Sequence, residues 1–223
     1  ADSCGVELMS VHLKPEEIEA ESFRTIDLEA GPHQWSPAEW LIVRRVIHTS
    51  ADFEYVRTLV MSPDAISAGV KAILAGRGVV TDTTMALSGI SKPRLAQFSI
   101  SASCFVADQQ VAKEAVAEGI TRSIVAMRKG TADSGNGIFV IGNAPTALFE
   151  LLRQVHADGL KPDLIVGLPV GFVGAVESKE ELITVAAEFG IPFITNRGRK
   201  GGSNVAAAVM NALLILALEQ KGD

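Results

Sequence analysis

Cysteine is scarce in this chain. Only Cys4 and Cys104 occur, with no CxxC pair and no even-numbered framework, so neither a disulfide scaffold nor a cysteine-rich zinc site is expected. Such usage suits a reducing compartment, and a cytoplasmic protein is expected. Basic charge is also short. The net charge is −6 and the pI is near 5.3, which argues against a nucleic-acid partner, because neutralising phosphates needs a concentrated cationic face. No basic segment followed by an apolar run opens the sequence, so no secretory signal is read there. Val205 to Leu218 is the longest apolar stretch, about 14 residues interrupted by Asn211. A membrane span needs about 20 residues, so this stretch predicts a buried or subunit-facing helix and no membrane partner. Absent too are GxxxxGK[ST], a GxGxxG following a strand, HExxH and GxSxG. Nucleotide, metal and covalent-hydrolase chemistries thereby fall away, and no metal site is expected.

What remains is an ordinary globular composition. The 223 residues, 48% hydrophobic and 21% charged, are enough to bury about 70% of the extended surface in a single domain, 1–223. Short two-sided apolar runs predict buried strands at Gly78 to Thr81, Phe98 to Ser101, Ile138 to Ile141, Leu164 to Val166 and Phe193 to Thr195. Helices alternate with them. Ser36-Pro37-Ala38-Glu39 is a capping box opening a helix to about His48, and Ser62-Pro63 starts another that should stop at Gly76. Asn143 can cap a helix ending near Gly159, and Glu177 to Phe189 and Ser203 to Leu218 complete the set. The alternation predicts an α/β fold with a doubly wound, mainly parallel sheet, its sites lying where strand C-termini meet helix N-termini. Residues 1–50 break the rhythm: Pro15 to Ala30 and Pro37 to His48 read as a helical hairpin, broken at Gly31-Pro32, that extends the domain as a lid or subunit contact.

Among polar residues His48 stands out. It sits at the predicted C-terminus of a capped helix, where the helix dipole attracts a cation, while Arg44 one turn earlier on the same face repels one. Imidazole is the natural acid or base near neutral pH, although a surface or capping histidine accounts for the same spacing. His12 and His33 flank Pro-containing turns, and His156 lies late in a helix. Three glycine-rich segments suit a backbone that approaches a ligand: Ile141-Gly142-Asn143-Ala144-Pro145-Thr146, Gly167 to Gly174, and Arg197-Gly198-Arg199-Lys200-Gly201-Gly202-Ser203-Asn204. The first should leave amides free for an anion, and the third adds cationic forks. Asp82, at a strand end, either orients a ligand or caps a helix. The acidic run Glu16-Glu17, Glu19, Glu21 and the cluster Lys179-Glu180-Glu181 read as solvated outer faces.

Several of these segments resemble one family. Ile18-Glu19-Ala20-Glu21-Ser22-Phe23, Val46-Ile47-His48-Thr49, Ile141 to Leu148, Pro169 to Lys179 and Arg197 to Ser203, spread in order over residues 15–215, are similar to those of the precorrin-8X methylmutases, also called precorrin isomerases. The resemblance implies a cytosolic homodimer with a flavodoxin-like fold. It also implies a 1,5-sigmatropic shift of a methyl group from C-11 to C-12 of a corrin precursor, with no external cofactor. By the same resemblance His48 is the acid acting on the macrocycle, and Ser22 and Arg122 contact the substrate. The Thr49-Ser50-Ala51-Asp52-Phe53 run resembles the cobalt-using branch. A corrin precursor is a flat polycarboxylate, so an apolar slot rimmed by cations and backbone amides fits it. Arg24, Arg122, Arg197 and Arg199 are the expected rim cations, with Asp82, Gly142, Asn143, Gly171 and Gly198 as further contacts. A non-catalytic carrier of a corrinoid intermediate would share the slot without needing the histidine.

Overall fold

A computed structural model describes residues 14–222. Cys4 and His12 lie outside the described residues. The elements run α1 (Pro15–Ala30), α2 (Pro37–Ser50), α3 (Tyr55–Thr58), β1 (Leu59–Met61), α4 (Ala65–Leu74), β2 (Gly78–Thr81), α5 (Thr84–Gly89), α6 (Lys92–Gln97) and β3 (Ala102–Ser103). They continue with α7 (Gln109–Glu118), α8 (Arg122–Thr131), β4 (Asn136–Ile141), α9 (Pro145–Asp158), β5 (Leu164–Gly167), α10 (Ala175–Phe189), β6 (Phe193–Asn196) and α11 (Ser203–Gly222). The six strands form one sheet in the order β1-β6-β5-β4-β2-β3, parallel throughout except for β1, which pairs antiparallel with β6.

Helices cover both faces, and the pleat sorts the core accordingly. Val79, Ile138, Val140, Leu164 and Val166 point to the side held by α2, α4 and α11. Val80, Phe139, Ile141 and Ile165 point to the opposite side, against Leu148, Leu151 and Leu152 of α9 and Leu182 of α10. Strands buried on both faces were therefore correctly expected at β2, β4, β5 and β6.

Two expectations need correction. Phe98 to Ser101 is not a strand. It closes α6 in a Schellman arrangement: Ile100 N–H bonds to Leu95 O at 3.1 Å, Ser99 N–H bonds to Ala96 O at 3.1 Å, and Ser99 stands at φ 55°. Phe98 and Ile100 alternate toward the core only because the turn directs both inward, and the strand β3 is confined to Ala102–Ser103. The last helix is longer than its apolar stretch. At 20 residues α11 is long and apolar enough to cross a membrane by length and composition, so length does not settle its role. In the fold Val209, Met210, Ala212, Leu213, Leu214 and Ala217 are buried, and the helix rests on α2, α4 and α5.

The N-terminal hairpin forms as expected, with both the Ser36–Glu39 capping box and Pro37 at the first helical position. α1 is fastened to α2 by Asp27, which accepts from Trp40 Nε1 at 2.8 Å and from Arg44 at 3.1 Å. α2 runs two residues beyond His48 and stops where Ala51 takes a left-handed backbone, φ 52° and ψ 31°, its N–H bonded to Ile47 O at 2.7 Å.

Candidate active site

The turn ending α2 presents His48 at the surface of a cleft of about 690 Å³ between α1 and α2. This volume falls within the range of about 300–1,000 Å³ usual for small-molecule sites. Ile18, Ile26, Ile47 and Phe53 supply apolar walls, and Ser22, Thr25, Glu21 and Glu29 add polar atoms. Ser22 and His48 thus meet in one cavity, though they come from different helices. The Ser22 hydroxyl donates to Ile18 O at 2.8 Å, which leaves its oxygen able to accept from a ligand. His48 has no hydrogen-bond partner among the described residues. Its ring lies 5.1 Å from that of Phe23, tilted by 57°.

Phe23 also carries two cations. The guanidinium of Arg44 stands 4.4 Å and that of Arg45 5.1 Å from its ring centre. Arg44 is paired with Asp27 and Arg45 with Glu19, so both charges are compensated while the aromatic face orders them beside His48. The buried Nε of Arg44 finds no hydrogen-bond acceptor among the described residues, and the ring of Phe23 together with the pair to Asp27 holds the guanidinium in place. Spacing alone singles out Arg44 but not Phe53, Thr25 or Glu29, because no periodicity relates those wall residues to His48.

Beside the cleft lie the loops at the C-terminal edge of the sheet. The loop after β6 reaches the α2 terminus through Lys200, which pairs with Asp52 at 2.5 Å and Glu54 at 2.8 Å, and Asn204 donates to Thr49 O at 3.3 Å. The lysine holds the Asp52 carboxyl below its ordinary value. The loop after β5 meets the loop after β6 through Gly171 N–H to Arg199 O at 3.2 Å and Gly202 N–H to Leu168 O at 3.0 Å. The segments after β5 and β6 therefore interlock, and the segment after β4 joins them through Leu168 N–H to Ile141 O at 2.8 Å and the packing of Gly142 on Ser203.

The first segment behaves differently from expectation. The amides of Gly142, Asn143 and Ala144 are not free for an anion, because the buried Asp82 carboxylate accepts from all three at 2.7–2.8 Å. Asn143 makes no side-chain cap, and Asp82 satisfies the amides leading into α9 from the neighbouring strand. Burial pushes the Asp82 carboxyl above its ordinary value, while the three amides pull it down. Gly142 itself answers a packing need, since a Cβ there would fall 2.6 Å from Ser203 Cα.

The expected rim cations divide into two sets. Arg24 is paired with Glu21 at 2.5 Å and Arg197 with Glu180 at 2.6 Å. Arg122, at the start of α8, and Arg199 have no ion-pair partner among the described residues. Arg199 stands 5.5 Å from the ring centre of Phe172, whose side chain and that of Val173 project from the β5 loop, 86% and 89% exposed. Lys179 departs furthest from its expected place on a solvated face: it is wholly buried beneath these loops. Its signal was present, for it falls in the buried stripe Ala175, Lys179, Leu182, Ala186. Glu17, Glu19 and Glu21 are exposed as expected, and Glu21 turns to the cleft.

A family model described as precorrin-8X methylmutase matches residues 17–216 of this chain. The chain belongs to that family. Among curated relatives, the cobalt-precorrin-8 methylmutase of Priestia megaterium is 47% identical over 211 residues, covering 95% of this chain and 92% of the relative. The precorrin-8X methylmutase of Pseudomonas aeruginosa is 41% identical over 196 residues, covering 88% and 93%. A crystal structure of precorrin-8X methylmutase from Thermus thermophilus superposes with a TM-score of 0.81 at 40% identity, covering 91% of this chain and 98% of that one. The reaction of these methylmutases is an intramolecular transfer that moves a methyl group from C-11 to C-12 of the corrin precursor, so the protein is an isomerase of cobalamin biosynthesis.

Proposed function

We propose that His48 is the acid of this methyl shift and that the cleft between α1 and α2 receives the macrocycle. One observation carries the reading: His48 and Ser22, brought from separate helices, share a cavity with apolar walls and polar edges. A methyl group migrating within one conjugated ring needs no nucleophile. It needs an electron-poor acceptor carbon, and an imidazolium N–H donated to the macrocycle withdraws electron density from C-12 as the C-11 bond weakens. The proton then returns to the imidazole, because substrate and product have the same composition. Ser22 contributes a hydrogen bond at the cleft wall.

Arg122 and Arg199 supply the cations for substrate carboxylates, with Arg197 and Arg24 available if their own carboxylates yield. Gly171 and Gly198 give the interlocked loops a backbone that can come close to the ligand edge, with Gly198 at φ 85° and Gly171 at φ 150°. Gly142, Asn143 and Asp82 act through the shape of the loop between β4 and α9. Counted without β1, the parallel strands run 2-1-3-4-5 across the sheet, an order that supports the flavodoxin-like reading. The chain works as a homodimer in the cytoplasm. The exposed Leu28 of α1, with Phe172 and Val173, supports an apolar contact with a second copy, and a one-chain mass on a sizing column at working concentration would overturn it. The substrate carries cobalt, as the Thr49 to Phe53 run and the 47% identical relative favour.

Purified protein mixed anaerobically with precorrin-8X or its cobalt-bearing counterpart should change the visible spectrum, faster with the cobalt form. An unchanged spectrum with both would overturn the assignment. Arg199→Ala should raise KM about tenfold or more with little effect on kcat, since one charge-assisted hydrogen bond is worth about 1.5–3 kcal/mol. A KM equal to that of the parent would remove Arg199 from the rim.

A further inference from the structure

A buried lysine usually has a carboxylate beside it. Lys179 has none. It is inaccessible to solvent, and its Nζ donates to Lys200 O at 2.7 Å and to Asn196 Oδ1 at 3.2 Å. Asn196, equally buried, completes the arrangement by donating from Nδ2 to Arg197 O at 3.0 Å and Lys200 O at 2.9 Å. Two side chains beneath the surface therefore grip both ends of the turn Arg197 to Lys200. Glu180, the next residue of α10, holds the same turn from outside through its pair with Arg197. Burying an ammonium with only neutral acceptors costs stability, and burial lowers the pKa of this lysine to about 8.

The bonds it makes lead outward in two directions. Through Arg199, whose carbonyl takes the Gly171 amide and whose guanidinium stands over Phe172, the turn shapes the cationic rim. Through the Lys200 side chain it ties to Asp52 and Glu54, just beyond the helix end that bears His48. We propose that Lys179 is a positioning residue: from inside the fold it holds the turn between β6 and α11 so that Arg199 meets a substrate carboxylate while Lys200 braces the end of α2. The proposal rests on the corrinoid reading of the site, and it makes Lys179 part of substrate recognition without contact with the ligand.

The turn contains Arg197, Arg199 and Lys200, three trypsin sites, so its integrity can be read without any substrate. Lys179→Met keeps the volume, is one atom shorter and removes the donor. The expected result is nicking within residues 197–200 about tenfold faster than in the parent, with the circular dichroism spectrum retained. KM should rise about tenfold while kcat falls less. Should Lys179→Met fail to fold, Lys179→Gln takes its place: it stays polar, but its amide ends one atom short of Nζ and loses the reach to Lys200 O. Unchanged nicking in a folded variant overturns the proposal, and so does unchanged KM. Failure of both variants to fold also overturns it, because the lysine would then hold the core and not one turn. If Arg199→Ala leaves KM unchanged while Lys179→Met speeds nicking, the carboxylate reading of the rim has failed and the clamp itself stands.

Discussion

His48→Ala is expected to lower turnover by about 10²–10⁴-fold, the usual contribution of one positioned acid, while product affinity stays within a few fold of the parent. The reasoning is local. The imidazole is exposed on the cleft wall and makes no hydrogen bond among the described residues, so removing it leaves no buried polar group behind. Its one aromatic contact, the tilted approach to Phe23, is worth roughly 0.5–1.5 kcal/mol, a loss the fold can absorb. Phe23 keeps its place because Arg44 and Arg45 remain on it, and those two remain paired with Asp27 and Glu19. The variant should therefore bind the macrocycle with the same apolar walls and rim but lack the proton that polarises it. Turnover followed by visible absorption, beside a product titration on the same preparation, separates the two quantities. Turnover equal to that of the parent would sink the role of His48. Turnover and binding lost together would assign the ring to holding the ligand.

How far the chain's own residues announce this arrangement depends on whether the cause is local. β2, β4, β5 and β6 are legible because each is a short run apolar on both faces, and α2 is legible because its cap is written in Ser36, Pro37 and Glu39. β1 is not legible: three residues on an antiparallel edge carry no period, and their pairing with β6 is decided far along the chain. Phe98 to Ser101 imitates a strand because a turn with Ser99 in the left-handed region buries alternate residues as a strand would. The site follows the same rule. His48 can be picked out from its helix terminus, but its meeting with Ser22 depends on α1 docking against α2, which no spacing encodes and only the family resemblance suggested. Lys179 is misread through its neighbours. Glu180 and Glu181 face outward, and a charged residue beside them looks solvated unless it is placed on the buried stripe of its helix.

Asp82 offers the second large effect, and it falls on stability. Asp82→Ala should destabilise the protein by roughly 3–5 kcal/mol, because two of the three amides it satisfies, those of Gly142 and Ala144, belong to buried residues and an orphaned buried donor costs about 1–3 kcal/mol. The Asn143 amide, in an exposed residue, can turn to water at less expense. The damage should not stop at β4. Gly142 packs on the backbone of Ser203, whose hydroxyl lies 2.8 Å from that of Thr83, so the loop after β2, the loop after β4 and the start of α11 form one unit around this carboxylate. Asp82→Asn should lie between parent and alanine variant: one oxygen still accepts, while the new N–H₂ faces an amide donor. Urea unfolding with the slope held common to the three proteins gives the order directly. The same variants decide between the two roles a strand-end aspartate can take. If Asp82 works by organising the loop, Asp82→Asn loses stability and keeps its affinity for product, whereas native stability with lost affinity would mean that the carboxylate turns toward the ligand and that the three amides are released when substrate arrives.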